Sequence, residues 1–474
     1  MKALFLALLL LTSSVATATP AVDEVTSRTG DLDMILKQRQ LRVLVVYDNA
    51  NFYLEQGVPS GLTVAMMREF ERWLDKRYFA GQKLKMHLAF LPVRYDEVLP
   101  MLREGKGDLA LASLYPSESR RKEADFSRPD LQGIQEWVVS AKGGEPLHNL
   151  RELSGKRIWV RHSSSYYESL QNLNRMLASL SLPPVIIQQA DEALLDSDLL
   201  EMVSQGEIAY TVTDSHKARL WGDAFGGLQM HTEVPLRRDS YTAWAMRKDS
   251  PMLQEVVNDF LDEYNQRSAK GAPLYRRYLE DSRGVARRFE RSTPEQMGWK
   301  GNEYQRYAAL FRRYGERYDI DWLMLMAQAY QESTLDQTAR SHRGAVGVMQ
   351  VLPSTARELK VGNIRSLENN VHAGTKYMRY MIDNYFDDQE VDAQNRALFA
   401  LAAYNAGPNR IARLRQEAVR RGLNGNVWFG NVEKVAAARV GSETVQYVKK
   451  VSSRYLAYRH SYEQIRQTHR IRPR

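Results

Sequence analysis

A chain of 474 residues is too long for one compact core and calls for two or three domains. Hydrophobic residues make up 43% and charged residues 26%, which suits a folded globular protein and excludes a disordered or fibrous one. There is no cysteine, which excludes disulfides and a lipid anchor on an N-terminal cysteine. The formal charge of +9 is unevenly spread. Residues 300–474 hold 28 Lys and Arg against 17 Asp and Glu, whereas residues 19–299 hold 37 against 40. The basic surplus therefore belongs to the C-terminal part, where it suits either a solvated surface or attraction to a polyanion.

The N-terminus pairs Lys2 with an apolar run from Ala3 to Leu11, and Ala16 and Ala18 place small residues where cleavage needs them. Residues 1–18 read as a secretory signal peptide, too short to remain across a membrane. No later stretch is long and apolar enough to span one. Residues 19–40 are polar without a clear period and read as a leader. Residues 41–47 carry a buried-strand pattern, 61–74 an amphipathic helix, 85–90 a strand, 95–104 a helix and 107–112 a strand. The rhythm repeats with strands at 157–160, 185–188 and 208–212 and helices at 165–180 and 193–205. The chain then returns through a strand at 241–246 and a helix at 252–267. Strands alternating with helices imply parallel sheets. Two such units with a returning segment imply a bilobed α/β module over 41–268, hinged near 129–133 and 232–235.

The segment from Ser119 through Arg120, Asp125, Phe126 and Ser127 to Pro129 resembles the E-R-x-x-x-x-D-F-S-x-P stretch of family 3 periplasmic solute-binding proteins. Thr213-Asp214 resembles the V-x-D stretch of the same family. The resemblance implies that Arg120 forks onto a ligand carboxylate and that Asp214 holds its ammonium group. Taken singly, either residue reads as a surface charge. Tyr115-Pro116 stands where amino-acid receptors carry small hydroxyl residues, which argues against free amino acids as ligands.

Residues 269–299 mix Gly, Pro and charges and read as a linker or an irregular docking segment. From 300 to 474 every periodic stretch is helical: 303–318, 322–331, 368–386, 393–404, 408–421 and 442–458. The ending 470–474 reads as a frayed basic tail. Glu332 falls at the last turn of the apolar helix 322–331. The negative end of the helix dipole and the apolar neighbours both disfavour its charge, so its pKa is expected to be raised, as a proton donor near neutral pH requires. A loop with Gly344 and Gly347 follows, then Met349 and Gln350, then Pro353 at the first position of a helix.

The order Glu332-Ser333, G-A-V-G-V-M-Q over 344–350 and P-S-T-A over 353–356 resembles the core of the soluble lytic transglycosylase (SLT) family. Asn370-Val371-His372-Ala373-Gly374, Ala402-Ala403-Tyr404-Asn405-Ala406-Gly407 and Glu443-Thr444-Val445-Gln446-Tyr447-Val448 follow in the family's order. The resemblance implies a mainly helical, lysozyme-like domain over 300–474, and hence a multidomain fold with the bilobed module first. The succession of the two modules resembles that of bimodular lytic transglycosylases. It further implies an enzyme that cleaves the MurNAc–GlcNAc bond of peptidoglycan without water and leaves 1,6-anhydroMurNAc ends. Glu332 would be the catalytic acid and base. Ser333, Met349, Gln350, Tyr404, Asn405 and Tyr447 would line the sugar groove, although each alone reads as core packing.

Most glycosidases use two carboxylates. Asp336 follows four residues on, but a turn should aim it elsewhere. No cofactor or metal is expected, since no metal-ligand cluster, phosphate loop or Ser-His-Asp grouping is present. Glycan strands, a wall-derived peptide and a peripheral membrane contact are the expected partners. Nucleic acid is not expected in the periplasm, to which the signal peptide points. Two other readings stay open: a goose-type lysozyme that hydrolyses the same bond, and a solute receptor whose C-terminal domain only binds wall.

Overall fold

The computed structural model describes residues 27–82, 85–299 and 302–473. The signal-peptide stretch and the start of the leader lie outside them. The strands are β1 (Leu41–Val45), β2 (Tyr53–Glu55), β3 (Val58–Ser60), β4 (Leu88–Pro92), β5 (Leu109–Leu114), β6 (Ala124–Ala141), β7 (Arg157–Arg161), β8 (Ile186–Ala190), β9 (Tyr210–Asp214), β10 (Leu228–Met230) and β11 (Arg237–Arg247).

In the first lobe β1 pairs in parallel with β4 and β5, and in the second β7 pairs in parallel with β8 and β9. All five residues of β1 are buried, as a strand covered on both faces requires. The two lobes are one continuous sheet in the order β4-β1-β5-β11-β6-β9-β7-β8. What joins them is the antiparallel pair of β6 and β11, so the expected parallel sheets hold only inside each lobe. The 18-residue β6 was hidden by Pro129 and Gly133. Pro129 sits opposite Ala243 where the register shifts, and an irregularity of that kind tolerates a residue with no N–H to give.

Part of the leader is a helix, Leu32–Gln38, too short for its period to show. Asp31 Oδ1 accepts from Leu32 N–H at 2.7 Å, and the same carboxylate takes the N–H groups of Met252 and Leu253. One side chain thus ties the leader to the helix Pro251–Tyr264. The segment 269–299 is likewise folded, into the helices Ala272–Leu279 and Ser282–Glu290. Val285 and Phe289 enter the core of the second lobe, where the Phe289 ring lies 5.4 Å from Trp221. Its glycines and charges gave no period because these helices are only two turns long and bury few residues.

The helical domain is built around Trp322–Ser333, here termed the acid helix. Leu323, Met324, Leu325, Met326, Ala327 and Ala329 are all buried, so the helix is enclosed by its neighbours. Asp321 caps its start, accepting from Leu323 N–H at 2.8 Å. Its end is set by Thr334 in the left-handed region, φ 56°. Against it lies the terminal helix, Ser442–Ile471, 30 residues and about 45 Å long. Tyr455 donates to Asp321 at 2.8 Å near one end of the acid helix, and Tyr447 reaches the other end.

The terminal helix runs beyond its expected end and binds both lobes. Ser453 meets His87 at 2.6 Å and Gln464 accepts from Tyr47 N–H at 3.2 Å on the first lobe. Thr468 donates to Ala193 O at 2.7 Å on the second. Arg472, expected in a frayed tail, is paired with Glu201 at 2.9 Å and Glu207 at 2.6 Å. Acceptors on the second lobe, invisible from the local sequence, order this end of the chain.

The β2–β3 turn enters the joint between module and helical domain. Tyr458 donates to Gly57 O at 2.8 Å. A Cβ on Gly57 would lie 2.5 Å from Tyr458 Oη and 2.9 Å from Trp299, and φ is +75°. Gly57→Ala is therefore expected to cost roughly 2–4 kcal/mol of stability through strain and displaced packing. Urea unfolding would measure it, and a change below about 0.5 kcal/mol would show that the turn is free to back away.

Candidate active site

Glu332 stands one residue before the end of the acid helix. Among the described residues no charge is recorded acting on it. Burial pushes its carboxyl up to about 7, and a hydrogen bond from the Tyr447 phenol at 2.5 Å pulls the other way. The expected rise therefore comes with a clear cause, loss of water, and with one donor on the opposing helix. Burial and the nearby carboxyl also hold the Tyr447 phenol well above the usual tyrosine range, so it stays a donor. Asp336 is exposed and bonded to Thr338, which holds its carboxyl below the usual range. Among the described residues, no second carboxylate is recorded acting on Glu332.

The loop after the acid helix is fixed from below by Asn370. This side chain is fully buried. Its Nδ2 donates to Val346 O at 2.7 Å and Ile364 O at 3.0 Å, and its Oδ1 accepts from Met349 N–H at 2.8 Å. Gln337 adds a second brace, accepting from Val348 N–H at 3.1 Å and donating to Ile364 O at 3.1 Å. Gly347, at φ +78°, passes so close that a Cβ would lie 2.5 Å from Asn370 Nδ2 and 2.6 Å from Gln337 Nε2. Asn370 belonged to a block singled out in the sequence, but its task did not show there. Gln337 gave no signal at all. Gln328, fully buried one turn before Glu332, lies beside the Tyr447 phenol and was hidden in an apolar run.

Of the expected groove residues, Tyr447 bonds Glu332, Tyr404 is close enough to feel its charge and Ser333 follows it in the chain, but several of the set spend their polar atoms on the protein itself. Ser333 Oγ donates to Val348 O at 2.9 Å and accepts from Asp336 N–H at 3.1 Å. Gln350 donates to Gly347 O at 2.9 Å. The Tyr404 phenol donates to Met349 O at 2.6 Å, and Asn405 Oδ1 accepts from Thr444 at 2.8 Å. The Met349 side chain is fully buried, and a Cβ on Gly374 would lie 2.7 Å from it. It fills the core behind the loop and presents no side-chain face to a sugar. Ser333, Gln350 and Tyr404 thus brace the loop after the acid helix, while Asn405 ties its own helix to the terminal helix.

In the bilobed module Arg120 and Asp214 are both buried and both engaged. Arg120 donates to Tyr115 O at 2.9 Å and to Ser163 O at 2.7 Å, and so bridges the two lobes through backbone carbonyls. Ser119 on the first lobe donates to Glu168 on the second at 2.8 Å. Asp214 is paired with Lys217 at 3.1 Å. Lys217 also pairs with Asp196 at 2.8 Å, and Asp196 with Arg161 at 2.5 Å. Neighbouring Lys217 and Arg161 hold the Asp196 carboxyl down at about 2 despite its burial. This cleft network was missing from the sequence reading, because three of its members lie far apart in the chain and carry no motif.

Two family models match the chain. The model for bacterial extracellular solute-binding proteins, family 3, matches residues 41–281, just over half of it. The chain belongs to that family. The model for the transglycosylase SLT domain matches residues 309–424, and the chain is a lytic transglycosylase with a family 3 module ahead of its SLT domain. The SLT match holds Glu332, Ser333, Met349, Gln350, Tyr404 and Asn405, while Tyr447 lies beyond it. A membrane-bound lytic murein transglycosylase F of Desulfosudis oleivorans is 28% identical over 442 residues, covering 89% of this chain and 90% of the relative. A protein of the same name from Pseudomonas fluorescens is 26% identical, covering 85% and 78%. Among solved structures, an ancestral arginine-binding protein bound to arginine covers 50% of this chain and 97% of its own, with 22% identity and a TM-score of 0.40.

Proposed function

We propose that this enzyme cleaves the MurNAc–GlcNAc β-1,4 bond of peptidoglycan without water, with Glu332 as both acid and base. The observation that supports it most is a single carboxyl, desolvated to a pKa of about 7, with one phenol as its partner and, among the described residues, no second carboxylate recorded acting on it. A carboxylic acid poised there gives its proton to the glycosidic oxygen as the bond to C1 breaks. The N-acetyl carbonyl of the MurNAc stabilises the positive centre that develops at C1. Glu332, now ionised and held by Tyr447, takes the proton of the C6 hydroxyl while O6 bonds to C1. The proton returns to the enzyme and the product is an anhydro ring.

Purified sacculi test this reading. The enzyme is expected to release soluble muropeptides and clear the suspension. Binding to sacculi with no release would favour a wall-binding receptor instead.

Tyr447 sets the pH range. Below about 7 Glu332 carries the proton it must give, and above it that form is lost, so the rate should fall on the basic side. Tyr447→Phe removes the bond that favours the ionised form, so the basic limb is expected to move up by about one pH unit, with a lower maximum. A basic limb unchanged in this variant would place Tyr447 outside the acid's control.

We further propose that the family 3 module senses a wall-derived peptide carrying a carboxylate and an ammonium group, with Arg120 and Asp214 facing it. The terminal helix supports coupling, since it touches both lobes and carries Tyr447 to Glu332. A stem-peptide fragment should bind in calorimetry and change the cleavage rate several-fold, within the ~1–3 kcal/mol usual for coupled sites. Absence of binding would remove the sensing role. The basic SLT part and the signal peptide suit a periplasmic enzyme lying against the outer membrane. No helix of the described residues is long and apolar enough to cross a membrane.

A further inference from the structure

A second binding surface lies outside both the inter-lobe cleft and the Glu332 site. It is an open groove of about 870 Å³ between the helix Leu62–Tyr78, the β2–β3 hairpin and the two helices of segment 269–299. Such a volume falls in the range of sites that hold small ligands or short peptides, roughly 300–1,000 Å³. Six arginines line it: Arg68, Arg72, Arg276, Arg277, Arg287 and Arg288. Four acids, Glu55, Glu69, Glu280 and Asp281, are set among them.

The internal pairing leaves the arginines only partly used. Arg72 is held by Glu69, and Arg68 donates to Pro59 O at 3.2 Å. Arg288 donates to Asn49 O at 2.7 Å and to Asp281 at 3.2 Å, with its guanidinium 4.6 Å from the Tyr53 ring. Its remaining nitrogen, Nη2, is buried without a hydrogen-bond partner. Arg276, Arg277 and Arg287 are exposed, and no ion pair is recorded for them among the described residues. The exposed guanidinium groups of Arg276, Arg277 and Arg287 can therefore meet acceptor oxygens of a ligand.

The shape and the mixture of signs select the ligand class. A membrane surface is met by a flat or convex patch of one sign, reinforced by apolar tips. This surface is concave, carries both signs and is walled by Tyr53 and Tyr278. It suits a short peptide that offers several carboxylates and an ammonium group. Planar guanidinium groups fork onto the carboxylates, and the acids meet the ammonium.

The position selects the source. The groove wall includes Glu55 and Ser60 of the β2–β3 hairpin. The turn of that hairpin, at Gly57, packs beside Tyr330, two residues before Glu332. A peptide seated here is therefore held on the enzyme side of the module.

We propose that this arginine groove binds the stem peptides of the uncleaved wall and so holds the glycan strand for the SLT domain. The proposal rests on peptidoglycan being the substrate. It concerns the peptide branches and not the sugars.

The test uses the full chain and the double variant Arg277→Glu/Arg287→Glu, whose positions are exposed and carry no ion pair recorded among the described residues. Two readouts are taken: pelleting with intact sacculi, which needs no cleavage, and kcat/KM on intact sacculi relative to glycan strands stripped of peptides by an amidase. The variant is expected to pellet with a Kd three- to tenfold higher. Its preference for intact wall over stripped strands is expected to fall by a similar factor. Unchanged pelleting would overturn the proposal. So would an equal loss on both substrates, which would mark a general charge effect. So would a variant that pellets with sacculi as the wild type does but loses binding to phosphatidylglycerol vesicles, which would make the groove a lipid site. Because pelleting does not depend on catalysis, it decides the groove's role even if the enzyme releases nothing from the wall.

Discussion

Glu332→Gln is expected to abolish wall cleavage while leaving a folded protein that is more stable at alkaline pH. The amide is close in shape but can neither give nor take the proton. Loss of a general acid typically costs ~100-fold or more, and here the same group also serves as base. The stability effect follows from the raised carboxyl. A carboxyl at about 7 in the folded protein, against an ordinary value of 4.5, is mostly neutral in both states at pH 4. As pH rises from 4.5 through 7 the unfolded chain ionises first, and folding loses stability. The glutamine carries no such penalty, so the variant should match wild type at pH 4 and exceed it by roughly 2–3 kcal/mol at pH 8. Urea unfolding at the two pH values measures this. Equal stability at pH 8 would show that the carboxyl is not desolvated, and residual anhydro product at wild-type rate would remove Glu332 from the chemistry.

Asn370→Ala is expected to have the next largest effect, and on both activity and stability. Three backbone groups, Val346 O, Ile364 O and Met349 N–H, would lose a buried partner together. Each such loss costs ~1–3 kcal/mol, so a total near 3–5 kcal/mol is expected. The loop facing Glu332 would also lose its register. A displacement of about 1 Å at a reacting centre can cost ~100-fold, so cleavage should drop at least ~10-fold at temperatures where the variant is still folded. A stable Asn370→Ala enzyme with wild-type turnover would show that the loop is held elsewhere.

The acid and its surroundings were legible because they are local. An apolar run ending in Glu-Ser, two glycines and a proline reports a helix, its end, a tight loop and a new helix within 30 residues. The helices of the SLT part were legible for the same reason, and Glu303–Tyr318 matches its expected span. What escaped the sequence depends on partners far along the chain. The long crossing strand β6 reads as a loop because Pro129 and Gly133 interrupt it, and only pairing with β11 makes it a strand. The terminal helix was expected to end at 458 and residues 470–474 to fray, because the acceptors that order this end, Ala193, Glu201 and Glu207, are more than 260 residues away. The expected groove residues were legible as motif positions, but the bonds they make were not. Whether Tyr404 faces a sugar or the Met349 carbonyl is decided by a loop it meets 55 residues earlier. Arg120 and Asp214 likewise carry recognisable motifs, yet Lys217 and the Ser163 carbonyl, which engage them, carry none.

The central claim is that one desolvated carboxyl cleaves the strand with no water entering the product. Digestion of sacculi in water labelled with heavy oxygen, followed by mass analysis of the released fragments, tests it most directly. The expected result is unlabelled fragments ending in 1,6-anhydroMurNAc, each lighter by one water than the reducing form. Fragments with labelled reducing MurNAc ends would contradict it and make the enzyme a hydrolase.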